Sequence, residues 1–245
     1  MRRNSIAVAF LLLVAIRGAF AQGADAPKAK VAPKHLAVAQ QLVAHLDLSN
    51  TNYQHGTPSV SFTAPYESHA DCSGFVDALL EYSYGIDKDV FRTTFGSGRP
   101  TAARYHDAII DQKSFQRIEH VQNLLPGDFL AVKYFARKDD TGHVMLVAGR
   151  PLRLPEVKEP VIEGTMQWEV PVIDSSKSGH GTTDTRHKKG ADGKDHDGVG
   201  EGILRVYSDA AGDVAGFSWS SQSVSKFEPP NEEELVMGRF EVSAK

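Results

Sequence analysis

Cys72 is the single cysteine among 245 residues, and it opens the run DCSGFV after Asp71. A thiol is a nucleophile in its thiolate form. Asp71 is a helix-capping residue type. If it caps, Cys72 falls in the first turn, where unpaired N–H groups and the positive end of the helix dipole favour an anion. Ser73 and Gly74 are small, so a substrate can approach the sulfur closely. The competing reading is an inert cysteine that only packs. A count of one excludes an internal disulfide framework and a cysteine-built zinc site.

A thiol nucleophile needs a base and a group that orients the base. Of ten histidines, His143 is best placed: Gly142 precedes it and the apolar run VMLVAG follows, so its ring sits at the mouth of a strand. Asp174, in WEVPVIDSS, is the candidate orienter. Strand alternation puts it on the face of Trp168, Val170 and Val172, where a carboxylate is costly unless paired. An imidazole N–H would satisfy it, and Asn in its place would still accept that bond. Each residue has a plainer reading, as a strand-end histidine and a loop-starting aspartate. His180 is the rival third residue. His69, three residues before Cys72, is the rival base.

The elements that must position these residues read as helices first and strands second. His35 to Leu48 carries apolar residues at helical spacing. Asp71 to Tyr84 is a second helix, stopped by Gly85. RPTAARYHDAII, from Arg99 to Ile110, is a third. Then DFLAVKYF, HVMLVAG, WEVPVID, ILRVYS, GFSWS and VMGRFEV are short β-rich runs parted by turns. DFLAVKYF and HVMLVAG read as neighbours joined by ARKDDTG. This order predicts an α+β fold.

Residues 1–21 have the form of a secretory signal peptide: Arg2 and Arg3, an apolar run from Ile6 to Ile16 too short to span a bilayer, and Ala19-Phe20-Ala21 as a cleavage site. No cysteine follows for a lipid anchor, so no membrane anchor is expected. Residues 22–33 form a polar leader of disordered composition, and 34–245 a single domain. The expectation is an exported protein, periplasmic or secreted. An unpaired cysteine in such an oxidising compartment is a feature to explain. A formal charge of −4 gives no reason to expect nucleic-acid binding.

DCSGFV, LLPGDFLAV, GHVMLVAG and VIDSS, in that order from about residue 64 to 207, resemble the NlpC-type cell-wall peptidases, a branch of the papain-like cysteine peptidases. The resemblance implies a papain-like fold, with the cysteine helix packed on an antiparallel sheet. It implies Cys72 as nucleophile, His143 as base, and Asp174 in the third position. The implied partner is the stem peptide of peptidoglycan, and no cofactor is implied. Tyr66 or Tyr53 would hold the oxyanion, unless backbone N–H groups near Cys72 do so. Two insertions depart from the family pattern, RPLRLPEVKEPVIEGTMQ and the stretch from Ser175 to Gly200.

The second insertion, rich in Gly, His and charge, is expected to be a solvated gate that selects substrate and takes no part in the catalytic machinery. Its segment GKDHDG lacks the first acidic position of a calcium loop, so no metal is expected. TFGSGRP lacks the lysine and the strand-to-helix context of a phosphate loop. Arg99 is read as a surface charge able to meet an acidic substrate. The functional expectation is a cysteine endopeptidase or amidase. The alternatives are a non-catalytic exported binding or assembly protein, or a cysteine acyltransferase or esterase.

Overall fold

The computed structural model describes residues 32–137, 140–187 and 195–241. Residues 1–21, read as a signal peptide, and most of the stretch 22–33, read as a leader, lie outside these residues. From Ala32 onward the chain forms one unit. The N-terminal part holds four helices, α1 Lys34–His45, α2 Cys72–Tyr84, α3 Lys88–Phe95 and α4 Ala102–Ile110. α1 ends three residues earlier than the apolar spacing predicts, because Leu46 and Asp47 are extended and Asp47 caps a separate 3₁₀ turn at Leu48–Asn50. α4 starts after Pro100, three residues later than predicted. α3 escapes the sequence reading. It is two turns long, capped by Asp87 and ended by Gly96 in the left-handed region.

A small three-stranded sheet holds β1 Thr51–Asn52, β2 Ser59–Ser61 and β3 Glu67–His69, with β3 central. The large sheet contains β4 Phe115–Ile118, β5 Phe129–Tyr134, β6 Gly142–Val147, β7 Leu152–Arg153, β8 Met166–Ser176, β9 Gly198–Ser208, β10 Val214–Ser218 and β11 Glu233–Phe240. Its order is β10-β9-β8-β6-β5-β11-β4, with β7 paired to β8. All its pairings are antiparallel. The fold is thus α+β, and β5 and β6 are neighbours as expected. The C-terminal strand lies between β5 and β4, inside the sheet.

Side-chain alternation divides the sheet into two faces. Phe129, Ala131, Val144, Leu146, Ile173 and Val236 pack with the helices around Phe75, Leu79 and Tyr105. Leu130, Val132, Met145, Val147, Val172 and Val206 form a second core on the opposite face. The sheet curls around this second core: β10 returns to touch β11, and bridges join His120 to Asp213 and Phe217 to Glu228. α2 therefore lies outside the curl, on β6 and β8, while His143 and Asp174 share the parity of the inner face.

Candidate functional site

Asp71 caps α2 as the sequence predicts: its Oδ1 accepts from the Gly74 N–H at 2.7 Å. Its Oδ2 meets Arg99 at 3.1 Å and His55 at 3.3 Å. Arg99 is thus an exposed charge, as read from the sequence, that pairs with the capping carboxylate. The cap places Cys72 at the first residue of the helix, buried at 5% exposure. The Ser175 hydroxyl, on β8, donates to the Ala70 carbonyl at 2.6 Å and ties that strand to the helix entry.

β6 and β8 are in register only at Val147–Val172 and Leu146–Ile173. Beyond that point the pairing stops, and His143 and Asp174 meet side chain to side chain. The His143 Nε2 donates to the Asp174 Oδ2 at 2.5 Å. With Nε2 so engaged, Nδ1 is the nitrogen left to face Cys72, whose charge acts on this ring. Burial alone would lower His143. The Cys72 charge and the Asp174 carboxylate outweigh it and push the imidazole up to about 10. Gly142 is required just before it. Its φ is +144°, and a Cβ there would lie 1.9 Å from the Val132 carbonyl oxygen.

Asp174 is wholly buried and accepts two further bonds. The His180 Nε2 donates to the same Oδ2 at 2.9 Å, and Arg186 donates to Oδ1 at 2.9 Å. Burial pushes this carboxyl up, but Arg186 first, then His180 and His143, hold it well below the usual range. Arg186 is itself fully buried and bridges to both oxygens of Asp184, at 2.8 Å each. It also donates to the Gly198 carbonyl at 3.1 Å. Gly200 and Gly202 on β9 leave room for this bridge, since a Cβ at either would come within 2.7 Å of the Arg186 or Asp184 side chain. His180 is fixed at its other nitrogen by the Trp219 carbonyl at 2.8 Å, and its ring stacks on that indole.

These contacts correct the reading of residues 175–200 as a gate outside the machinery. Residues 188–194 lie outside the described residues, but His180, Asp184 and Arg186 are built into the support of Asp174. His180 is not a rival to Asp174; both His143 and His180 bind it. They also reverse the expectation that Asn would serve at 174. An amide cannot present acceptors to two imidazoles on one side and to a guanidinium on the other.

The rival base His69 sits on β3 and is hydrogen-bonded to Asn52. Of the two tyrosines left open, Tyr66 accepts from Gln41 at 2.8 Å and stacks on His45, so it belongs with α1. Tyr53 instead lines a cleft of 460 Å³ with His143, His180, Trp219, Arg137 and Lys177. Burial, followed by the nearby Cys72 and Asp71 charges, raises its phenol and keeps it a donor. Neither Arg186 nor Trp219 was singled out from the sequence. The clue to Arg186 was its pairing with Asp184 two positions earlier, opposite the small-residue run GVGEG.

A group of His143, Asp174 and His180 has the ligand types for a metal, with all ligand atoms within 4.8 Å of one another. Arg186 on the same carboxylate opposes a cation there, and the two imidazoles already satisfy Oδ2. These residues fit a hydrogen-bonded cluster better than a metal centre.

Uncharacterized protein R653 of Acanthamoeba polyphaga mimivirus is 32% identical to this chain over 225 residues, covering 86% of the chain and 97% of that protein. The chain belongs to the family of protein R653. No family model and no solved structure matches the chain.

Proposed function

We propose that this member of the R653 family is an exported cysteine hydrolase of the NlpC type, an amidase or endopeptidase that cuts peptide bonds in peptidoglycan. The observation that carries the reading is Cys72 at the start of α2, within electrostatic reach of His143, whose ring is bound to the buried Asp174. In support of a papain-like arrangement, the cysteine helix packs on antiparallel strands that carry the other two residues.

In this reading the Cys72 sulfur attacks the carbonyl carbon of the scissile amide while His143 holds the proton. Tyr53 and backbone N–H groups at the start of α2 donate to the oxyanion. As the C–N bond breaks, His143 passes its proton to the leaving amine. A water then enters, gives a proton to His143, and displaces the acyl group from sulfur. Asp174 keeps the ring in the tautomer and orientation that both steps need. Lys177, in the cleft wall, suits an acidic stem peptide.

The test is digestion of purified peptidoglycan with wild type and Cys72→Ala, with the products weighed by mass spectrometry. New muropeptide cleavage by wild type alone is expected. Equal product patterns from the two proteins would overturn the proposal.

A further inference from the structure

A cavity of 700 Å³ lies on another side of α2. Its lining includes two carboxylates one helical turn apart, Asp77 and Glu81, on the same face of α2. The facing wall, from α3 and the loop after it, carries Lys88, Arg92 and Arg99. Phe62, Tyr82 and Phe91 lie among these charges. Arg92 is paired with Asp89, and Arg99 with Asp71. Lys88 has no ion pair among the described residues and is exposed.

Asp77 marks this groove as more than a surface hollow. Its residue exposure is 7%, and its Oδ1 accepts from the Tyr105 hydroxyl at 2.6 Å. Its Oδ2 is buried without any hydrogen-bond partner. Buried polar atoms without partners are uncommon and costly. Neither protonation state gives this atom a partner: ionised, it has the Arg99 charge nearby but no donor, and protonated, it is a donor with no acceptor. Burial pushes the carboxyl up to about 7, against the Tyr105 bond and the Arg99 charge, so near neutral pH it is poised between the two states. A cationic donor from outside would resolve both.

We propose that this groove binds a short zwitterionic peptide, with its ammonium against Asp77 and Glu81, its carboxylate against Lys88, and an apolar side chain on Phe62, Tyr82 and Phe91. A polyanion would be repelled by the two carboxylates, and a simple cation would leave the basic wall and the aromatic rings unused. The volume is in the range of ligand pockets and exceeds what a single small amino acid fills. Three extended residues span roughly 10 Å. Asp77 lies five residues past Cys72, about 7.5 Å along the helix axis, so the groove is distinct from the cleft at His143. The proposal does not depend on the chemistry of the thiol.

Calorimetric titration of the Cys72→Ala protein with Ala-Leu-Ala, N-acetyl-Ala-Leu-Ala and Ala-Leu-Ala-amide tests it, since removing the thiol separates binding from turnover. The free tripeptide should bind saturably, and each blocked peptide about tenfold more weakly or worse, the loss typical of one charge-assisted contact. Asp77→Asn keeps an acceptor for Tyr105 and should weaken the free peptide but leave the acetylated one unchanged. Glu81→Gln, at an exposed position, gives the same comparison without touching the core. Absence of binding, equal affinity for the three peptides, or an equal effect of both substitutions on free and acetylated peptide would overturn the proposal.

Discussion

Arg186→Met tests whether the charge bridge behind Asp174 holds the site together. In the folded chain one guanidinium, wholly buried, neutralises Asp174 at 0% exposure and Asp184 at 3%. Methionine fills much of the volume but leaves two buried carboxylates without their cation. Breaking a buried pair by removing one partner costs about 3–5 kcal/mol, a large part of the roughly 5–15 kcal/mol that holds a domain folded. With a urea slope of about 2 kcal/mol/M, the midpoint should fall by roughly 1.5–2.5 M. The effect also has a sign in pH. Both carboxyls lie below their ordinary value when folded, and Arg186 is the leading cause of the lowering in each. Such groups contribute stability that is present above the unfolded value, near ~3.9, and is lost as pH falls through the folded value. The gap between wild type and variant should therefore be widest at neutral pH and narrow below about pH 4. Urea unfolding followed by tryptophan fluorescence, at pH 7 and near pH 3.5, reads both, since Trp219 stacks on His180 beside the bridge. Arg186→Lys keeps the charge without the planar fork and should fall between the two. A loss under about 1 kcal/mol at pH 7, or a gap that does not change with pH, would refute the reasoning.

Asp174→Asn should abolish turnover as fully as Asp174→Ala, because its amide nitrogen must face either the two imidazoles or Arg186; a stopped assay with near-wild-type rates in Asn would contradict this. His143 is raised from 6.5 to about 10, so its contribution to stability should be fully present below 6.5 and lost as pH rises through about 10. In urea unfolding across that window, His143→Ala should show a flatter profile than wild type, and its Cys72 should react more slowly with iodoacetamide. Gly142→Ala, with its Cβ driven onto the Val132 carbonyl, should cost more than about 1 kcal/mol in the same unfolding assay and slow the alkylation of Cys72 by displacing His143.

Local signals were readable where one residue type answers to one backbone need. Asp71 before a helix and Gly85 after it marked both ends of α2, its start to within one residue, because capping and the left-handed stop are local requirements. The alternation that put Asp174 with Trp168, Val170 and Val172 placed it correctly with the second core, and its cost of burial pointed to a partner imidazole. Short elements were not readable. α3 has too few residues to show a period, and β1, β2 and β7 are held by neighbours distant in the chain. The place of β11 between β5 and β4 is a matter of topology that no local pattern carries.

The stretch after Asp174 misled because the cues for solvation and for a buried ion network are the same residues. Aspartate, arginine, histidine and glycine are what a solvated loop contains, and also what a bridge inside a protein needs: charges to pair, and glycines to let them come close. The difference lies across the sheet, in β9. Gly200 and Gly202 face Arg186 and Asp184, and either glycine replaced by a larger residue would push the bridge out. Once Asp174 is placed on an inward face, its charge demands a cation or donors nearby, and one imidazole does not satisfy both oxygens. His143 and His180 take one oxygen, and Arg186 takes the other. The orientation of His143, the base in the proposed reading, thus rests on a segment that composition alone assigns to solvent, and shortening that segment should disturb thiol reactivity along with any choice of substrate.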